Sequence, residues 1–281
     1  VKNTLDETEL EGNPQDIISI SLSPDKKRLA TLDKKGIVRQ WDLSGKQLGN
    51  ELKTRPSVIA IILGSDKVCV TLEKDGKASL WEFSGIETKL NELEKKVRSV
   101  SFSHDGQIIA TGAEDSIVKL WNLSGEQIKN KIWNTNSNGI RSVKFSHDGQ
   151  IIATVGGDET VKLWNLSENQ EIPLETSGIT TVGFSLNQND KLIATGGDKG
   201  IVSVWDWHGR QVAEFKGSWD KTVSVSFTPD GKQIVAAGDN GIIQRWDIEG
   251  LNSLLDRGCD WLQDYRNTHR KERKIQKICS S

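Results

Sequence analysis

The residues best suited to chemistry are few. His104 and His147 each stand in a Ser-His-Asp-Gly tetrapeptide, beside Asp105 and Asp148. Two His-Asp pairs could offer imidazole and carboxylate ligands to a divalent metal. The two tetrapeptides belong to separate hairpins, however, and their spacing does not bring the ligands together. The remaining histidines, His208 and His269, have no such setting. No Ser/His/Asp set, nucleophile elbow or catalytic cysteine pattern is present. Cys69, Cys259 and Cys279 form an odd, sparse set without a CxxC, which suits neither a disulfide framework nor a zinc site and fits a reducing compartment. Asn122-Leu-Ser124 and Asn165-Leu-Ser167 match a glycosylation acceptor but read better as turns in a cytoplasmic chain. No catalytic residue, cofactor or metal is therefore expected.

The bulk properties agree. Charged residues make up 27% of the 281 and hydrophobic ones 35%, with a formal net charge of −2. That is a soluble globular composition. The near-neutral balance argues against broad nucleic-acid binding, which needs a basic surface. No apolar run is long enough to span a bilayer, so no membrane contact is expected. The opening VKNTLDETEL is polar and acidic, unlike a secretory signal. The sequence starts at Val1 and contains no Met, so further residues are expected upstream.

The elements that would position any site are announced by tryptophan. Trp41, Trp81, Trp121, Trp164, Trp205 and Trp246 are separated by 40, 40, 43, 41 and 41 residues. A fixed period of that size marks a repeat. Ten residues before the Trp stand Thr31, Thr71, Thr111, Thr154 and Thr195, with Ala236 in the sixth unit. After the Trp comes an acid or its amide: Asp42, Glu82, Asn122, Asn165, Asp206 and Asp247. The unit 97–128, VRSVSFSHDGQIIATGAEDSIVKLWNLSGEQI, parses into β-branched runs separated by turns carrying Gly and Asp. Four short antiparallel strands per period, six times over, predict an all-β six-bladed propeller.

These units resemble the WD-repeat family, over roughly residues 1–250. The resemblance implies that the periodic Trp are core residues bonded to Ser or Thr of the second strand. Carried over, the Thr–Trp pair survives in five blades. The family's turn Asp is matched by Asp75, Asp115 and Asp158, and replaced by Lys35, Lys199 and Asn240. The family's Gly-His before the first strand is missing: the equivalent stretches read TRPS, EKKV, SNGI and TSGI. The blades ending at Trp41, Trp205 and Trp246 are thus expected to be tied least well.

A ring of blades must also close. The stretch after Trp246, IEGLNSLLDRGCDWL, has helical spacing, so the sixth blade lacks an outer strand of its own. Residues 3–11 are expected to supply it, leaving no free edge at the seam. A seventh blade upstream is the alternative, since seven blades are commoner in the resembled family. Residues 251–281 are expected to form a separate short helical and basic tail beside the propeller of 1–250. The phrase LLDRGCDWLQDY with its basic sequel is similar to the C-terminal end of cyanobacterial WD-repeat proteins. In those the propeller often follows a NACHT-type ATPase or another signalling domain.

The first strands give the place where a partner would dock. They read V-x-x-V-x-F rather than strict alternation, which implies a β-bulge. The bulged column, on the rim, is Ile18, Ile59, Arg98, Arg141, Thr180 and Val223. In WD-repeat proteins this column often contacts partners. Apolar groups beside arginine make a plausible hot-spot composition, and Trp133 and Trp219, in or near loops feeding this face, are candidate anchors. The reading is a non-catalytic scaffold or sensor that docks a protein or peptide, within a larger bacterial signalling protein. A propeller hydrolase acting on a small molecule or sugar, and a nucleic-acid reader using the basic tail, are the alternatives; the S-x-D-x-G-x-T-W box of sialidases is absent.

Overall fold

The computed structural model describes residues 16–90, 95–135, 138–174, 176–185, 191–228 and 230–248, without the side chains of 129–132. The first blade is β1 (Ile17–Leu22), β2 (Arg28–Asp33), β3 (Ile37–Asp42) and β4 (Gln47–Lys53). The second is β5 (Val58–Leu63), β6 (Val68–Glu73), β7 (Ala78–Glu82) and β8 (Glu87–Lys89); the third is β9 (Val97–Phe102), β10 (Ile109–Ala113), β11 (Ile117–Trp121) and β12 (Gln127–Asn134). The fourth is β13 (Ile140–Phe145), β14 (Ile151–Gly156), β15 (Val161–Asn165) and β16 (Gln170–Pro173). The fifth is β17 (Ile179–Phe184), β18 (Leu192–Gly197), β19 (Ile201–Asp206) and β20 (Gln211–Lys216), and the sixth is β21 (Thr222–Phe227), β22 (Gln233–Gly238) and β23 (Ile243–Asp247). Each blade is an antiparallel meander in sequence order; five have four strands, and the sixth has three among the described residues. The chain is an all-β six-bladed propeller. The closing strand expected at residues 3–11 and the tail at 251–281 both lie outside the described residues.

The hairpins form because their turn residues accept the required geometry. Gly36, between β2 and β3, has φ +81°, and a Cβ there would stand 2.6 Å from the carbonyl oxygen of Arg55. No other residue type suits both constraints. The first-to-second strand turns of blades 1, 3, 4 and 6 are each held by an Asp: Asp105, for instance, accepts from Ser103 Oγ and the Gln107 amide, and Asp148 does the same for Ser146 and Gln150.

The core lies between blades. Ala30, Leu32, Val38 and Leu52 of blade 1 pack on Val58, Ile61, Leu63, Cys69 and Trp81 of blade 2. Val70, Leu72, Ala78 and Leu80 repeat the pattern against blade 3. Blades 1 to 5 each use their second and third strands to cover the first strand of the next, so that neighbours bury what a lone blade would expose. Inside these walls, five Trp Nε1 groups donate to Thr Oγ1 ten residues upstream, at 2.9–3.0 Å: Trp41 to Thr31, Trp81 to Thr71, Trp121 to Thr111, Trp164 to Thr154 and Trp205 to Thr195. The sixth Trp compensates with aromatic contacts. Trp246 stacks on Phe215 at 5.6 Å and meets the edge of Trp219 at 6.0 Å.

A second set of bonds joins the inner strands around the axis. Ser19 and Ser21 of β1 accept from the amides of Ile61 and Leu63 in β5, at 3.2 and 3.0 Å. Ser99 and Ser101 of β9 accept in the same way from Val143 and Phe145 of β13. Between blades 4 and 5 the link is Lys144 Nζ, which donates to Val182 O at 2.6 Å.

Candidate functional site on the rim

The register of all six inner hairpins skips one residue. The skipped residues are Ile18, Ile59, Arg98, Arg141, Thr180 and Val223. A bulge turns such a side chain out of the sheet's alternation. Ile18, Ile59 and Val223 are 41%, 47% and 51% exposed. Ile18 and Ile59 occupy blades 1 and 2, which are neighbours, and Val223 occupies blade 6. Arg98 and Arg141, on blades 3 and 4, each reach the acid of their own second-to-third strand turn: Arg98 pairs with Glu114, and Arg141 with Glu159 at 3.2 Å. Both pairs are exposed, so they fix geometry more than they stabilise. Thr180 is only half-buried and is committed to packing, its Oγ1 donating to Thr222 O of the next inner strand at 2.8 Å.

The two candidate anchor tryptophans are a correction, Trp133 lying within β12 and Trp219 in the loop before β21. Trp133 is buried, lies 5.7 Å from the ring of Trp164, and donates from Nε1 to Asn169 Oδ1 at 3.2 Å. Trp219 is buried too, with Nε1 donating to Thr222 Oγ1 at 3.0 Å. Gly217 and Gly238 make its place, since a Cβ on either would stand 2.3 Å from the indole. Neither ring is free to anchor a partner. Trp219 instead backs an open depression of about 490 Å³ lined by Lys216, Ser218, Asp239 and Asn240. A bulky apolar residue in a loop before a strand signals packing as readily as recognition, and sequence alone does not separate the two.

The turn positions also differ in detail from the family pattern. Asp75, Asp115 and Asp158 accept from the amide two residues ahead, and Asn240 does so in blade 6. In blade 1 the role passes to buried Asp33, which accepts from the amides of Lys35 and Ile37 and pairs with Arg39 at 3.0 Å. Burial alone would raise the Asp33 pKa, but those amides and the guanidinium together hold it below the usual carboxylate value. Blade 2 builds a larger cluster: Arg55 bridges Glu73 at 3.0 Å and Glu87 at 2.5 Å. The Arg55 guanidinium keeps Glu87 below its usual value.

At the opposite end of the inner strands, His104 and His147 come together after all, with ring centroids 3.9 Å apart. Their hairpins are separate in sequence yet adjacent in the ring. Burial, then His104 and Lys26, push the His147 pKa down, against the pull of Asp148. Among the described residues, no group of three or more His, Cys, Asp or Glu side chains is arranged to hold a metal. Cys69 is buried, and burial pushes its thiol up, so it is held unreactive.

Consecutive antiparallel meanders around an axis, with indole–hydroxyl bonds inside each blade, define a β-propeller built from one repeat. Residues 87–122, 128–165, 170–206 and 209–247 match the model of the WD domain, G-beta repeat, and the chain belongs to that family. Solved structures share the fold. The computationally designed Ika8 protein is 24% identical, with a TM-score of 0.67 over 85% of this chain and 73% of that one. The β-propeller domain of Cps50 (Swd1) from Myceliophteria thermophila is 16% identical, with a TM-score of 0.68 over 85% and 86%. A chain in the Mitotic Checkpoint Complex is 16% identical, with a TM-score of 0.67 over 83% and 74%.

Proposed function

We propose that this propeller is a non-catalytic interaction module that docks a protein loop or peptide on the rim carrying the six bulged residues. The observation that carries this reading is the bulged column itself: Ile18 and Ile59 lie exposed on neighbouring blades 1 and 2, Val223 lies exposed on blade 6, and Arg98 and Arg141 stand ion-paired on blades 3 and 4. Burying exposed isoleucine and valine gives affinity, and paired charges at the margin give register. That one structural neighbour sits in a checkpoint complex is in keeping with such a role.

The carboxylates point the same way. Asp25, Asp42, Asp75, Asp105 and Asp230 all have lowered pKa values because hydroxyls, amides or cations of their own turns bond the charged form. A general acid needs the opposite shift, so these groups serve the turns. No described helix is long and apolar enough to cross a membrane. The setting proposed is cytoplasmic, as the interaction part of a larger bacterial signalling protein whose effector domain responds to docking.

The test compares wild type with Ile59→Asp/Val223→Asp and with Arg98→Glu/Arg141→Glu, each at unchanged melting temperature, as bait for source-cell proteins. A protein held by wild type and released by the apolar double variant supports rim docking. Equal retention by all three baits refutes the site, and retention of nothing refutes protein docking.

A further inference from the structure

His104 and His147 are not required by the turns they occupy. Each turn is closed by a Gly amide donating to the carbonyl oxygen of the residue before the His, Gly106 to Ser103 and Gly149 to Ser146. The His is thus the second residue of a tight turn, where proline is favoured. In sequence, blades 1 and 6 do carry Pro24 and Pro229 at this position. Histidine stands there on blades 3 and 4, whose inner strands are neighbours.

The fold holds the pair together. The amides of Val143 and Phe145 donate to Ser99 Oγ and Ser101 Oγ at 3.0 and 3.3 Å, which ties the strands leading into both turns. Within the turns, Asp105 and Asp148 accept from Ser103 Oγ and Ser146 Oγ, and those hydroxyls accept from the Ile108 and Ile151 amides at 2.9 Å. The two backbones are therefore fixed alike, and the imidazole centroids stand 3.9 Å apart with the rings inclined at 51°. Among the described residues, no hydrogen bond engages either imidazole.

We propose that His104 and His147 together bind a late first-row divalent cation, Zn²⁺, Ni²⁺ or Cu²⁺, through one ring nitrogen each. Imidazole suits these ions, whereas Mg²⁺ and Ca²⁺ take oxygen donors. A cation about 2.1 Å from each nitrogen, with the two ligands at a right angle, sets the centroids roughly 4.5 Å apart. The rings thus open by a fraction of an ångström, a small rotation for one exposed and one half-buried side chain. Asp105 and Asp148 add negative charge beside the pair, and Lys26 opposes it. No third His, Cys, Asp or Glu among the described residues joins the site, so water completes the coordination. A bound cation joins blades 3 and 4 at the end opposite Arg98 and Arg141, and leaves the rim free.

The test removes the other soft donors and titrates what is left. The full chain carries His208→Gln, His269→Gln, Cys259→Ser and Cys279→Ser, while Cys69 is buried. In calorimetric titration Ni²⁺ and Zn²⁺ are each expected to bind at one ion per chain and Mg²⁺ not at all. At a hundredfold excess over its Kd, Ni²⁺ should raise Tm by at least about 5 °C. His104→Gln and His147→Gln should each weaken Ni²⁺ binding at least about tenfold, since even an outer-shell partner is worth about 10–100-fold. Neither change should unfold the chain, because the same turn position takes proline in other blades. Lys26→Gln should tighten binding. No heat and no Tm shift with Ni²⁺ overturns the proposal, and so does binding that survives either histidine substitution unchanged. An equal response to Mg²⁺ overturns it by assigning the effect to carboxylates. Half an ion per chain with a doubled mass in solution overturns it as well, because the cation then joins two copies.

Discussion

Replacing Thr111 with Val isolates the bond that each blade repeats. The two side chains have almost the same volume, so packing is retained and only the hydroxyl is lost. Thr111 is buried, and its Oγ1 accepts from the fully buried Trp121 Nε1 at 2.9 Å. No water can reach that indole nitrogen when the acceptor is gone. An orphaned buried donor costs about 1–3 kcal/mol. The weaker donation from Thr111 Oγ1 to Lys119 O, at 3.4 Å, adds little. A loss of about 2 kcal/mol corresponds to a drop of roughly 4–8 °C in Tm for a domain of this size. Urea and thermal unfolding by circular dichroism would measure it, with Trp121→Phe and the double variant completing a cycle. The expected coupling is about 1 kcal/mol. A drop under about 1 °C, or strict additivity in the cycle, would show that the indole–hydroxyl bond does not hold the blade.

The sixth blade offers the reverse experiment: Ala236→Thr gives Trp246 the acceptor the other five have, at a register the other blades share, and is expected to raise stability by up to about 1 kcal/mol in urea unfolding. Asp33→Ala should cost about 1–3 kcal/mol, because Asp33 is buried with two amides and Arg39 depending on it, whereas Asp75→Ala, at an exposed turn, should cost less in the same assay. Gly238→Ala drives a methyl into the Trp219 indole and is expected to destabilise by about 1–3 kcal/mol, with a change in tryptophan fluorescence. His147 adds a pH dependence whose sign follows from its lowered folded pKa. The unfolded chain binds the proton first, so this contribution is complete above the unfolded value of about 6.5 and is lost as pH falls through the folded value. Urea midpoints between pH 7.5 and 5 should therefore fall less steeply in His147→Gln than in wild type; parallel curves would remove His147 from the account.

The periodic features were legible because a repeat states its own rule six times. The Trp period located every third strand, and the departure from alternation in VRSVSF located the bulges, since both depend on local backbone geometry. What the sequence concealed depends on which blades become neighbours. The Ser19, Ser21, Ser99 and Ser101 hydroxyls join inner strands about forty residues apart, and a serine in a strand gives no sign of that. The meeting of His104 with His147 is the same kind of fact: two turns distant along the chain become adjacent once the blades stack. Trp133 and Trp219 misled because an indole is held in place equally well by packing: Trp219 fills a gap left by glycines, and Trp133, within β12, packs on Trp164. The shift of the turn role to Asp33 was hidden by only two residues, because the Ile37 amide, which a residue at position 35 would serve in the other blades, is reached from Asp33 instead.

The bonds between inner strands also divide the rim. Arg98 and Arg141 sit on blades 3 and 4, which serine hydroxyls hold together, and Ile18 and Ile59 sit on blades 1 and 2, which Ser19 and Ser21 join in the same way. Each pair is thus spaced by bonds inside the described blades, and the two pairs contribute by different physics. It follows that Ile18→Ala/Ile59→Ala should weaken a rim ligand chiefly through faster dissociation and leave the salt dependence of association unchanged, whereas Arg98→Glu/Arg141→Glu should alter that salt dependence. Surface plasmon resonance on the retained partner, across a series of salt concentrations, measures both quantities. An apolar variant that altered the salt dependence and left dissociation untouched would place the ligand's contacts on the arginine side.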